Sequence, residues 1–275
     1  MSRVPLKVDL PTGKRAPRAY LCVYRQVIPS RESLLVDAMM SAAKHEDLSH
    51  LLPLYETGSA YDWGDDPSFF SAEFTQGSAS HAGWGICRPN VRARLGKDDL
   101  VVFFCARRAA RDEVTEYLFV GYGTIGERID DRRRIWTESR LASYRKHLNV
   151  LVRFDAAGAM ERYERFEPGH PHPLDWTRRA KSPYLIFNPS LSQFKAAEPL
   201  LVAVAAPGEK RETWLLDRRP KARRLHKLLF EDLGLTRGLR TSVSGFSHPP
   251  VNLGREMARK GTTADQLRER LARFL

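Results

Sequence analysis

No stretch of this sequence stays apolar long enough to cross a bilayer, which takes roughly 20 residues, because its 42% hydrophobic residues are broken up throughout by 28% charged ones. Cysteine is scarce: Cys22, Cys87 and Cys105 are odd in number and have no CxxC spacing, which speaks against a disulfide framework and a zinc knuckle. Each lies in or beside an apolar stretch and is expected to be a buried, reduced thiol. The first 17 residues lack the uninterrupted apolar core of a secretory signal, so a flexible basic arm and a cytoplasmic location are expected. No internal repeat or low-complexity tract is visible. Acidic residues are in the minority, 33 against 45 Lys plus Arg, a net charge of +12 that attracts polyanions. Nucleic acid is therefore the expected partner. A membrane surface is not, since no basic amphipathic stretch carries the large aromatic face of an interfacial helix.

Residues 19–28 (AYLCVYRQVI) are β-branched and aromatic and predict a first strand; Ser30 then caps an amphipathic helix through Leu34, Leu35, Ala38, Met39 and Ala42. Residues 50–83 form a long aromatic loop. Pro89 begins a short helix, Gly96 to Asp99 turn the chain into a strand over 100–106, and residues 116–125 pair with it as a hairpin. Residues 132–147 predict a basic helix, and strands follow over 148–154, 184–188, 200–205 and 212–216, with Pro207 and Gly208 at a turn. Short strands in such close succession indicate an α+β fold with a barrel or strongly curled sheet and covering helices, not βαβ winding. Residues 218–233 and 262–275 read as helices joined by an irregular stretch. The expected division is an arm (1–17), a barrel domain (18–216) that folds without the rest, and a basic helical extension (217–275).

Several motifs suggest chemistry and fail their context. Gly121, Gly123 and Gly126 spell GxGxxG after a strand, but the following ERIDD has no apolar helical face, so a glycine-bearing sheet strand is the better reading. His170 and His172, with Glu167 and Asp175 nearby, match no zinc spacing; no metal and no cofactor are implied. Ser244 and His248 stand in a Gly/Ser/Pro loop without a nucleophile elbow.

The segments GWGICRPNVR (83–92), GKDDLVV (96–102) and YLIFNP (184–189), followed by Phe194, Pro199 and Leu200, resemble the PUA-like nucleotide-modification-associated domains. The resemblance implies a curled β-barrel related to EVE, ASCH and YTH modules, which bind modified or extruded bases in an aromatic pocket. It also implies a place in a modification, restriction or phage-related system.

A flipped base forfeits stacking worth a few kcal/mol, and its site must return that with aromatic faces and fixed polar groups. Trp84, between two glycines, is the candidate platform, with a core Trp at a turn as the other reading; Tyr61 and Trp63 are further stacking candidates. Asn188 and Ser190 could read a base edge or form an Asx turn. Arg88, Arg92, Arg132, Arg133, Arg223 and Arg224 are the candidate phosphate contacts. The expected function is a non-enzymatic reader of a modified or extruded base, in DNA before RNA. The alternatives are a nuclease or base-modifying enzyme on the same scaffold, using Tyr24, Lys97 or Asp98, and a scaffold protein using the Leu267, Leu271 and Phe274 stripe.

Overall fold

The computed structural model describes residues 16–25, 67–68, 82–108, 114–162, 176–195, 199–209, 211–235, 238–239 and 251–275. The helix expected after Ser30, most of the aromatic loop with Tyr61 and Trp63, and His170, His172, Ser244 and His248 lie outside these residues.

The fold is α+β. A nine-stranded sheet holds β1 (Ala19–Arg25), β2 (Gly83–Trp84), β3 (Leu100–Arg108), β4 (Thr115–Ile129), β7 (Tyr184–Phe187), β8 (Gln193–Phe194), β9 (Leu200–Ala205), β10 (Thr213–Trp214) and β11 (Val251–Asn252). A separate hairpin pairs β5 (Val152–Phe154) with β6 (Met160–Arg162). Short helices α1 (Pro89–Arg92), α2 (Arg133–Thr137) and α3 (Trp176–Ala180) precede α4 (Pro220–His226), α5 (Gly254–Lys260) and α6 (Ala264–Ala272).

β4 organises the sheet. One edge pairs with β3 as the expected hairpin; the other pairs in succession with β9, β8 and β7. Register shifts at Phe103/Phe104, Tyr117/Leu118 and Ile125/Glu127 bend it, and Gly121 holds φ 142° where the β3 ladder slips. At Gly123 a Cβ would press on the Phe187 and Phe194 rings, which explains the glycines better than a dinucleotide motif does. β1 runs parallel to β3 and β2 pairs with β7. The sheet thus curls until Trp84 of β2 meets Tyr24 of β1, ring centroids 6.2 Å apart. Among the described residues no ladder joins β2 to β1, so hydrogen bonding does not close a barrel there.

The period-2 alternation of β1 and β3 buries both faces of the sheet. Tyr20, Cys22, Tyr24, Val101, Phe103 and Cys105 line the concave face, while Leu21, Val23, Leu100, Val102 and Phe104 face the helical layer. That layer comes from the C-terminal segment: Leu225 and Leu229 of the α4 region, Met257 of α5, and Leu267 and Leu271 of α6, all in one core with Phe104 and Phe119. Residues of the expected extension, 217–275, therefore share one core with strands of 18–216. The Leu267, Leu271 and Phe274 stripe docks on the chain's own sheet, with Phe274 edge-on to Phe119 at 6.5 Å. Thr263 and Gln266 close a capping box that starts α6 within the helix expected over 262–275.

Candidate nucleic-acid interface

Trp84 has no exposed surface and sits edge-on to Tyr24 and Phe103, so the structure places it in the core instead of on an open platform. Its indole Nε1 is buried without a hydrogen-bond acceptor. The flanking glycines serve close packing: a Cβ at either Gly83 or Gly85 would collide with the Tyr184 side chain, and one at Gly85 also with the Asn149 carbonyl. Tyr184 Oη donates to Asn149 Oδ1 at 2.9 Å and lies 3.4 Å from His147 Nδ1, which Ser68 Oγ approaches at 3.1 Å; Asn149 Nδ2 and Ser68 N both donate to Gly83 O at 2.8 Å. This buried polar web fixes the edge of β2.

Arg92 and Arg132, both expected at phosphates, are interior braces, at 0% and 2% exposure. Arg92 donates to the carbonyls of Cys87, Ile86, Arg179, Ser182 and Pro183. Arg132 donates to Val150, Gly85, Arg179 and Ser182 and lies over the Tyr184 ring at 5.6 Å. Both guanidiniums thus hold the carbonyls that end α3. Arg179, 9% exposed, adds a bond to Ile86 O. A guanidinium presents five donors in a plane, and these sites use them on converging backbone.

Arg133 is exposed but clasps Asp131 at 2.6 Å, and Arg134 and Arg140 share Glu127 and Glu138. The hydrogen bond from Arg140, opposed by burial and reinforced by the charges of Arg140 and Arg134, lowers the Glu127 pKa. The first basic run is thus largely neutralised by its own carboxylates. Arg88, half-buried and in the left-handed region at φ 49°, donates to Val23 O and covers the Tyr24 ring at 5.3 Å. Lys97 and Asp98 are exposed on the turn before β3, and Tyr24 is buried beneath Arg88. Burial pushes the Cys22 thiol up to about 12, the Arg88 charge opposing it.

Asn188 Oδ1 accepts from Ser190 N at 3.0 Å, so the Asx-turn reading holds for this pair, which begins a 3-10 turn over Pro189–Leu191. Ser190 is exposed.

The second basic run is different. Arg218, Arg219, Lys221, Arg223, Arg224 and Lys227 are all exposed along α4 and its approach, and among the described residues none of them pairs with a carboxylate. Pro220 starts α4, Ala222 and Leu225 anchor it to the sheet, and a π-helical turn (Lys227–Asp232) prolongs it. The cations are left on the outer side.

Comparison with known protein families, with curated proteins and with solved structures returns no match. The geometry is therefore the guide to function. Of the sequence-derived candidates it brings together Arg223 and Arg224 on one free ridge, while Arg88, Arg92, Arg132 and Trp84 belong to the packed interior around β2. Sequence reasoning missed the Ser68, His147, Asn149 and Tyr184 web, which joins residues 35 to 79 positions apart and leaves no local signal. It also missed an aromatic cluster of Trp214, His226 and Phe230 beside the ridge; the i, i+4 spacing of His226 and Phe230 was its one visible sign.

Proposed function

We propose that this protein binds nucleic acid through the α4 ridge and reads a modified or extruded base, in DNA, on a PUA-like curled barrel within a modification, restriction or phage-related system. The observation that carries the reading is the contrast between the two basic runs. Ion pairs hold Arg133, Arg134 and Arg140 of the first and carbonyls hold its Arg132 and Arg145, whereas the six of the second face solvent with no carboxylate partner among the described residues, as counterion-releasing contacts to phosphates require. The bent nine-stranded sheet and the resemblance around residues 83–102 and 184–200 support the barrel, and the same resemblance is what supports a base-reading role.

Titration against single- and double-stranded oligonucleotides carrying different modified bases tests both halves. Arg223→Ala/Arg224→Ala is expected to weaken binding to all of them and to reduce the duplex salt slope by about 2, at roughly 0.9 per phosphate contact. Arg133→Ala, which removes a cation already neutralised by Asp131, is expected to leave the slope unchanged. Equal losses in both variants would reduce the ridge to a share of the net charge. Binding without preference across the panel rejects base reading and leaves nucleic-acid binding intact.

A further inference from the structure

Arg219 precedes α4 at its N-cap, Arg223 lies on α4 and Lys227 opens the π-helical turn, each four residues from the last, and His226 and Phe230, also four apart, are brought together by their stacking across the junction. His226 and Phe230 stack with centroids 4.8 Å apart and planes 24° from parallel. Trp214, from the outer strand β10, meets both edge-on at 5.2 and 5.6 Å. Both stacked rings are half-buried, so part of each reaches solvent beside the cations, and Leu216, 38% exposed, follows Trp214 at the same edge. Among the described residues nearby carboxylates are few and otherwise placed: Asp232 pairs with Arg270, Glu212 accepts from Leu239 N at 2.6 Å, and Asp217 and Glu231 are exposed at the two ends.

A duplex keeps its base faces inside the stack, where a row of rings between cations cannot use them. Reading a duplex calls instead for polar side chains at base edges. Rings alternating with cations match a strand whose bases are splayed, each phosphate meeting a cation and a base meeting a ring face.

We propose that the ridge formed by Arg219, Arg223, His226, Lys227 and Phe230 is a single-strand site, on which an unpaired nucleotide stacks against His226 while the three cations hold flanking phosphates. This rests on the nucleic-acid reading above and narrows its ligand to unpaired strands.

The test is anisotropy titration of the full chain with a labelled mixed-sequence 20-nucleotide strand and with the same sequence as a duplex, over a range of salt. The single strand is expected to bind more tightly. Loss of one stacked base is worth roughly 1–3 kcal/mol, so His226→Ala should weaken the single strand about tenfold, leave its salt slope unchanged and barely alter the duplex. His226→Phe, which keeps a ring, should restore it. Arg219→Ala/Arg223→Ala/Lys227→Ala changes only exposed side chains, so folding is preserved, and should lower the single-strand slope by about 2, at roughly 0.7 per contact. Duplex binding as tight as or tighter than the strand, or equal losses on both from His226→Ala, overturns the single-strand site and leaves nucleic-acid binding standing. Binding to neither overturns both.

Discussion

Arg92→Met separates an interior brace from a phosphate contact. Methionine replaces most of the aliphatic stem but none of the donors, so five carbonyls lose the guanidinium together. Three are partly covered: Arg132 still reaches Arg179 O at 3.1 Å and Ser182 O at 3.2 Å, and Arg179 reaches Ile86 O at 3.3 Å. The bonds to Cys87 and Pro183 are lost outright, and hydrogen bonds from a buried charged donor are worth about 1–3 kcal/mol each, hence about 2–6 kcal/mol in all. For a chain of this size each kcal/mol moves Tm by roughly 2–4 °C, so a fall of at least about 4 °C is expected, with a matching drop in urea midpoint at unchanged m-value. A phosphate-contacting arginine behaves in the opposite way. Its loss leaves stability within about 0.5 kcal/mol and takes about 0.9 from the duplex salt slope. An Arg92→Met protein as stable as the parent and weaker on nucleic acid refutes the brace.

Truncation before Lys221 removes Leu225, Leu229, Met257, Leu267 and Leu271 from their core with Phe104 and Phe119; the shortened chain is expected to aggregate or to lack a cooperative melt, whereas a sharp melt would restore the separate-domain reading. Glu127→Gln probes the ion-pair cluster: because the folded pKa of Glu127 is lowered, its stabilisation is full above the unfolded value of about 4.3 and is lost as pH falls through the folded value. Parent and variant melts should therefore differ at pH 7 and converge in acid; a difference that persists undiminished at low pH assigns the effect to packing.

Strands with a sustained β-branched or aromatic run were legible whether their neighbours are near in sequence or far. The 100–108 and 115–129 hairpin and β9 announce themselves by β-branched runs bounded by turn residues, and Pro89 marks the start of α1. Residues 132–147 predicted one helix and form α2 followed by a 3-10 stretch (Ser139–Lys146), because Arg134 and Arg140 converge on shared carboxylates while Ile135, Leu141 and Tyr144 turn inward at irregular spacing. β11 and α5 lay in a segment read as irregular; two residues of strand have no periodicity to detect, and their reason for being extended is β1, far away in sequence. The basic residues were visible individually, but their fates were not. Whether an arginine meets a carboxylate, a carbonyl or water depends on partners that only the fold supplies, as Arg92, Arg133 and Arg223 show in turn.

The β1 edge carries a further cost for the chain while it is being made. β1 is hydrophobic on both faces and pairs on one side with β3, but its other edge waits for Val251 and Asn252, and Leu253 N closes on Ala19 O only at 2.8 Å from the far end of the sequence. Loop-closure entropy grows slowly with length, about 0.6 kcal/mol per doubling, so thermodynamics permits this late staple. Kinetics is less forgiving, since an unpaired apolar edge is a template for other chains until it is covered. β1 is made long before the segment that covers its edge, so refolding yield should fall steeply with protein concentration, and Val251 and Asn252 are placed to guard the sheet against intermolecular pairing.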